Sequence, residues 1–83
     1  MKVIGALEVI KLDEYSLSST TSIAPIKCYN SFEECVEEVC IEESDKTAFL
    51  GFLKEEVRPM TSQTFFVGCD DYTSYTFHFM IVE

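Results

Sequence analysis

His78 is the only histidine in this 83-residue chain, and Cys28, Cys35, Cys40 and Cys69 are its only thiols. A Cys–His pair is the simplest nucleophilic device such an inventory allows, with the imidazole taking the proton from the thiol. The surroundings argue against it. No cysteine carries the local signature of a cysteine-enzyme family, and Cys35 and Cys40 fall on the apolar stripe of a helix. His78 falls in the middle of a strand, on its less apolar face, the position of a surface or hydrogen-bonded histidine. Metal chemistry has no better basis. The cysteines include no C-x-x-C pair for zinc, and neither Asp70-Asp71 nor the Glu42, Glu43, Asp45 group has the alternating acid spacing of a calcium loop. Gly5, Gly51 and Gly68 are too scattered to cradle a phosphate. The sequence therefore predicts a protein that is not an enzyme and holds neither metal nor cofactor.

An even cysteine count also raises the possibility of a secreted disulfide scaffold. The N-terminal MKVIGALEVIKLDE is apolar but is interrupted by Glu8 and lacks a small-residue cleavage site, so it does not read as a signal peptide. No apolar run approaches the length of a membrane span. The expectation is a cytoplasmic protein with free thiols, two of them acting as small buried hydrophobes.

The residues that speak about partners are the glutamates of Ser31–Glu43, SFEECVEEVCIEE, a stretch without a basic side chain. Phe32, Cys35, Val36, Val39 and Cys40 fall at i, i+3, i+4, i+7 and i+8, the stripe of an amphipathic helix. Glu33, Glu34, Glu37, Glu38, Glu42 and Glu43 fill the rest of the circumference. Ser31 followed three residues later by Glu34 is a capping box, and acids in a first turn suit the helix dipole. Read as one continuous helix, six glutamates over eleven positions span about 16 Å, about one charge per 2.7 Å of axis. Duplex DNA carries about one per 1.7 Å. Like charges at i, i+4, such as Glu34 with Glu38 and Glu38 with Glu42, cost such a helix a few tenths of a kcal/mol per pair, about the size of a typical surface interaction.

These residues need a scaffold, and the rest of the chain describes a small one. At this length a single domain, residues 1–83, buries only about 60–65% of the surface of its unfolded chain. Seven Phe and four Tyr bury more area each than aliphatic side chains, which helps so thin a core. Residues 2–12, KVIGALEVIKL, are apolar on both faces, as in a covered central strand. Residues 16–22 are polar and read as a loop, and 23–29 read as a second strand, which by Pro25 should either lie at an edge or start at the proline. Ser44 and Asp45 offer a second N-cap before a helix over 46–57, which Pro59 ends. Residues 63–69 and 73–82 flank the turn-forming Asp70-Asp71-Tyr72 as a hairpin. In its last strand Tyr75, Phe77, Phe79 and Ile81 share the face expected to line the core. The predicted fold is α+β, in the order β-β-α-α-β-β, with a mostly antiparallel sheet of about four strands and two helices on one side.

Fifteen acids against six bases give a net charge of −9, which opposes contact with phosphate backbones and anionic lipid and favours cationic partners. In size, acidity and helix character the chain resembles small virus-encoded inhibitors of bacterial defence, several of which are acidic, single-domain and non-catalytic and mimic nucleic acid. The resemblance implies a binding protein whose glutamate helix blocks a basic, nucleic-acid-handling surface on another protein. The competing expectation is an interaction module in which the Pro25 strand or the C-terminal strand pairs edge to edge with a partner, its acids serving only solubility.

Overall fold

The computed structural model describes residues 2–16 and 18–83. The longest strand, β1 (Lys2–Leu12), lies at the centre of an antiparallel sheet. On one side it pairs over ten residues with β5 (Thr73–Val82), from Lys2 opposite Val82 to Lys11 opposite Thr73, and β5 pairs in turn with β4 (Gln63–Cys69). Two short strands share the other side of β1. Strand β2 (Ser19–Ile23) faces Glu8–Leu12, and β3 (Lys27–Tyr29) faces Val3–Gly5. Glu8 lies opposite Ile23 and Gly5 opposite Lys27, so three steps along β1 are matched by four along its neighbour. The extra residue falls beside Pro25, which cannot donate to the ladder, and the border strand divides there.

The fold is the expected α+β domain with an antiparallel sheet, and its five strands stand where about four were expected, in the order β-β-β-α-α-β-β. The polar stretch at 16–22 accounts for most of the difference. Its residues from Ser19 onward form β2, although every one of them is exposed, because β1 offers an unpaired edge and hydrogen-bonded backbone needs no apolar face. Leu17, which the sequence placed in that loop, lies outside the described residues.

Both helices cover one face of the sheet. Helix α1 (Phe32–Val39) begins at Ser31, whose hydroxyl accepts the Glu34 N–H at 3.1 Å while the Glu34 carboxylate accepts the Asn30 N–H at 3.1 Å. The predicted capping box is present, shifted back by one donor. Helix α2 (Glu43–Glu55) starts three residues earlier than expected, with Glu42 as its N-cap. Between the helices Cys40 is extended, with its N–H bonded to the Val36 carbonyl and its side chain buried.

The core gathers around Phe49 of α2. Its ring stacks on Phe65 of β4 at 4.4 Å and meets Phe77 and Phe79 of β5 edge-on at 5.9 and 5.6 Å. Val3, Tyr29, Cys35, Val36, Leu53, Val67 and Ile81 close around this cluster. Phe77, Phe79 and Ile81 are buried and Tyr75 is half-buried, so the face read from the last strand is the core face. Gly5 occupies the same face of β1, where a Cβ would meet Phe77 Cζ at 2.5 Å and the His78 carbonyl oxygen at 2.6 Å. Because one of those atoms is backbone, Gly5→Ala is expected to cost about 1–3 kcal/mol through overpacking, read as a lower denaturant midpoint at unchanged slope. An unchanged midpoint would mean that β1 and β5 lie farther apart than this.

The opposite face of β1 is not covered, contrary to its two-sided apolar pattern. Ile4 is exposed there and His78 stands beside Glu8, with Nε2 3.1 Å from Oε1.

Candidate functional site

The six glutamates do not share one helix. Only Glu33, Glu34, Glu37 and Glu38 lie on α1; Glu42 stands at the N-cap position of α2 without a side-chain cap bond, and Glu43 is its first residue. The break relieves the Glu38–Glu42 repulsion that a continuous helix would carry and lets Cys40 turn into the core. The continuous anionic rod expected from the sequence is therefore corrected to two acidic helix segments meeting at a corner.

The chain's own lysines also neutralise much of that surface. Lys27 of β3 donates to Glu38 at 2.6 Å, Lys46 sits 3.0 Å from Glu37 and 3.4 Å from Glu43, and Lys54 lies 3.7 Å from Glu33. The hydrogen bond from Lys27 holds the Glu38 carboxyl below its ordinary range, and Glu37 beside Lys46 raises that ammonium's pKa. The Glu38–Lys27 contribution is therefore present above the ordinary carboxylate pKa and is lost as pH falls through the lowered value. Of the six, Glu34 is committed to capping and four face a lysine. Glu42 has neither role, and its side chain caps nothing.

Glu42 opens instead onto a groove of about 530 Å³ between the α1–α2 corner and the β4–β5 hairpin. Glu38, Glu42, Asp45 and Asp70 rim it, and no lysine or arginine lines it. Leu7, Val39, Val67 and Tyr75 form its floor. Ile41 stands at the lip, 89% exposed, placed there because the chain between the helices is extended. The hairpin side is held by Asp70, whose Oδ1 accepts the N–H groups of Tyr72 and Thr73 at 3.1 and 2.8 Å. A bulge falls between Phe66 and Gly68, with Gly68 at φ 156°, where a Cβ would lie 3.9 Å from Asp45 Oδ2. The sequence marks Asp45 only as an N-cap candidate and Asp70 only as a turn former, and it does not single out Ile41; the exposed isoleucine follows from the helix break, and the two aspartates come onto one rim only through the fold.

The thiols do not converge on His78, whose hydrogen-bond partner is Glu8. All four cysteines are free. Cys28 and Cys69 lie on strands three places apart, about 14 Å at the usual strand spacing and too far for a disulfide. Burial pushes the Cys35 and Cys40 thiols up to about 12 and about 11, so neither supplies a thiolate at neutral pH. Among the described residues no three His, Cys, Asp or Glu side chains gather as a ligand set, and no helix is long and apolar enough to cross a membrane.

The scaffold and groove define a small α+β protein with an acid-rimmed groove on its surface. Comparison of the chain with protein-family models, curated proteins and solved structures gives no match.

Proposed function

We propose that this is a non-catalytic binding protein that sets its acidic groove against a basic surface of a nucleic-acid-handling protein and blocks that surface. The carrying observation is the groove rim: Glu42, Asp45 and Asp70, with Glu38 held by Lys27, around an apolar floor that no lysine or arginine lines. Acids alone would steer a cationic partner without holding it, since exposed ion pairs contribute little. The floor and Ile41 supply the desolvated apolar contact that anchors an interface. Direct binding of nucleic acid is opposed by the net charge of −9, whereas a nucleic-acid site on another protein presents the Lys and Arg this rim would meet. Inhibition by occupying such a site is also what the likeness to small anti-defence inhibitors implies.

Sheet-edge assembly cannot use the C-terminal strand, because β5 is paired on both sides, by β1 and β4; it is favoured by one observation, that among the described residues β4 has no strand beyond it. The bulge between Phe66 and Gly68 shortens the straight edge available for pairing.

The test is capture from a cell extract on immobilised protein. Captured proteins are expected to be released by raising salt and to be displaced by added nucleic acid, with both losses reproduced in the purified pair. A partner that stays bound at high salt, or that binds nucleic acid and this protein together, would count against the groove as a competitor of nucleic acid.

A further inference from the structure

The sheet face turned away from the helices is electrically unlike the rest of the molecule. Glu8 is the only acid within any strand; every other carboxylate lies in a helix, at a helix end, in a turn or at the C-terminus. Glu8 is itself paired with His78. Around that pair the face presents Ile4, Ile23, Phe66 and Met80, with Ile26 beside them.

We propose that a second copy of the chain packs on this face, sheet against sheet, giving a two-fold dimer with the helices outside. Charge selects the occupant. A chain of −9 repels its copies through the helix layer and the turns, but not through a face whose one carboxylate already has a partner. With Glu8 Oε1 3.1 Å from His78 Nε2, covering the face does not leave this carboxylate without a hydrogen-bond partner. Two sheets about 10 Å apart hold the helix layers at roughly 30 Å, several times the Debye length of about 8 Å, so the acidic surfaces do not oppose the contact. Anionic lipid would meet the opposite circumstance, since the net charge repels it.

Area also fits. Four strands at about 4.8 Å and ten residues at about 3.4 Å give roughly 650 Å² per copy, or about 1,300 Å² in total, within the range of specific interfaces. The face is shaped to match itself. A hollow of about 380 Å³ opens over Ala6, Ile26, Thr64 and Met80. Phe66, 58% exposed, stands off the same face. A knob and a hollow on one surface are what an isologous contact uses.

Sedimentation equilibrium of the full chain tests this independently of the groove. The expected mass is about 19 kDa, twice the monomer's 9.5 kDa. It should persist at high salt because the contact is apolar. Ile26→Lys with Phe66→Lys, both exposed in the single copy, is expected to weaken the dimer at least about a hundredfold while leaving the circular dichroism spectrum unchanged. If that pair of substitutions unfolds the chain, Ile23→Lys serves the same purpose at one exposed position. A parent chain that stays monomeric at high micromolar concentration overturns the proposal. So does a dimer that survives the substitutions, which assigns the contact to a sheet edge, or one that salt dissociates. Salt-insensitive capture of a partner would defeat the groove reading and leave this result untouched.

Discussion

Replacing Phe49 with alanine is expected to remove a large part of the stability of this domain. The ring is fully buried and meets β4 and β5 through Phe65, Phe77 and Phe79, whereas Phe52 reaches only Phe65 and Phe79 and from a half-buried position. Truncation removes its transfer free energy and leaves a cavity lined by three other rings, which cannot collapse without breaking their own stacking, such as Phe77 on Phe79 at 5.4 Å. Buried Phe→Ala changes cost about 3–5 kcal/mol. At about 0.05–0.15 kcal/mol per residue, a chain of this length has roughly 4–12 kcal/mol in all. The melting temperature should fall by more than about 12 °C, at about 4–8 °C per kcal/mol. Phe52→Ala, on the same helix but half-buried, should cost distinctly less. Denaturant titration of both variants decides the matter. Equal midpoints for the two would show that α2 is not seated through Phe49.

The parts of the fold that the sequence made legible are those whose signal is local. The β4–β5 hairpin was readable because Asp70-Asp71-Tyr72 is turn chemistry and the alternation around it assigns the faces without reference to anything else. The start of α1 was readable because Ser31 and Glu34 interact with their own neighbourhood. The break at Cys40 was not, since the apolar stripe continues through Cys40 at i+8 and glutamates resume two residues later. Periodicity cannot distinguish a helix that continues from one that turns its last apolar residue into a core. Strand β2 was hidden for the opposite reason. STTSI has neither alternation nor burial and becomes a strand only because β1 supplies a partner. The open face of β1 was misread because an apolar side chain indicates burial whether the cover is the same chain or another molecule.

The acidic site was legible in kind and wrong in detail. The glutamate run identified the corner where the groove lies, and Glu38 and Glu42 are on its rim. Most counter-ions were invisible: Lys46 meets Glu43 within α2, but Lys27, Lys46 and Lys54 lie eleven, nine and twenty-one residues from Glu38, Glu37 and Glu33, and only the packing of β3, α1 and α2 brings those pairs together. Asp45 and Asp70 are likewise brought onto one rim from different elements. Charge counted along a sequence overstates the field a folded surface presents.

That distinction decides which acids to reverse. Glu34 and Glu38 are poor choices, because Lys at 34 breaks the capping box and Lys at 38 confronts Lys27, so a loss of binding could follow from a damaged fold. Glu42→Lys with Asp45→Lys alters the groove rim while leaving every described ion pair in place. Its structural cost should stay near the 0.3–1 kcal/mol (about) associated with losing an acid from a helix first turn. Glu55→Lys with Glu56→Lys is the matched control. Each double reversal adds four charges and takes the chain from −9 to −5, but the second lies at the far end of α2, about 15–20 Å along its axis. If groove contacts hold the partner, the first variant should lose at least about a hundredfold in affinity, about 2.7 kcal/mol, mainly through faster dissociation. The control should lose only the modest association rate that long-range steering supplies, and that loss should vanish at physiological salt. Surface plasmon resonance against the captured partner separates the two rates. Equal losses from the two variants would show that net charge, and not the groove, attracts the partner.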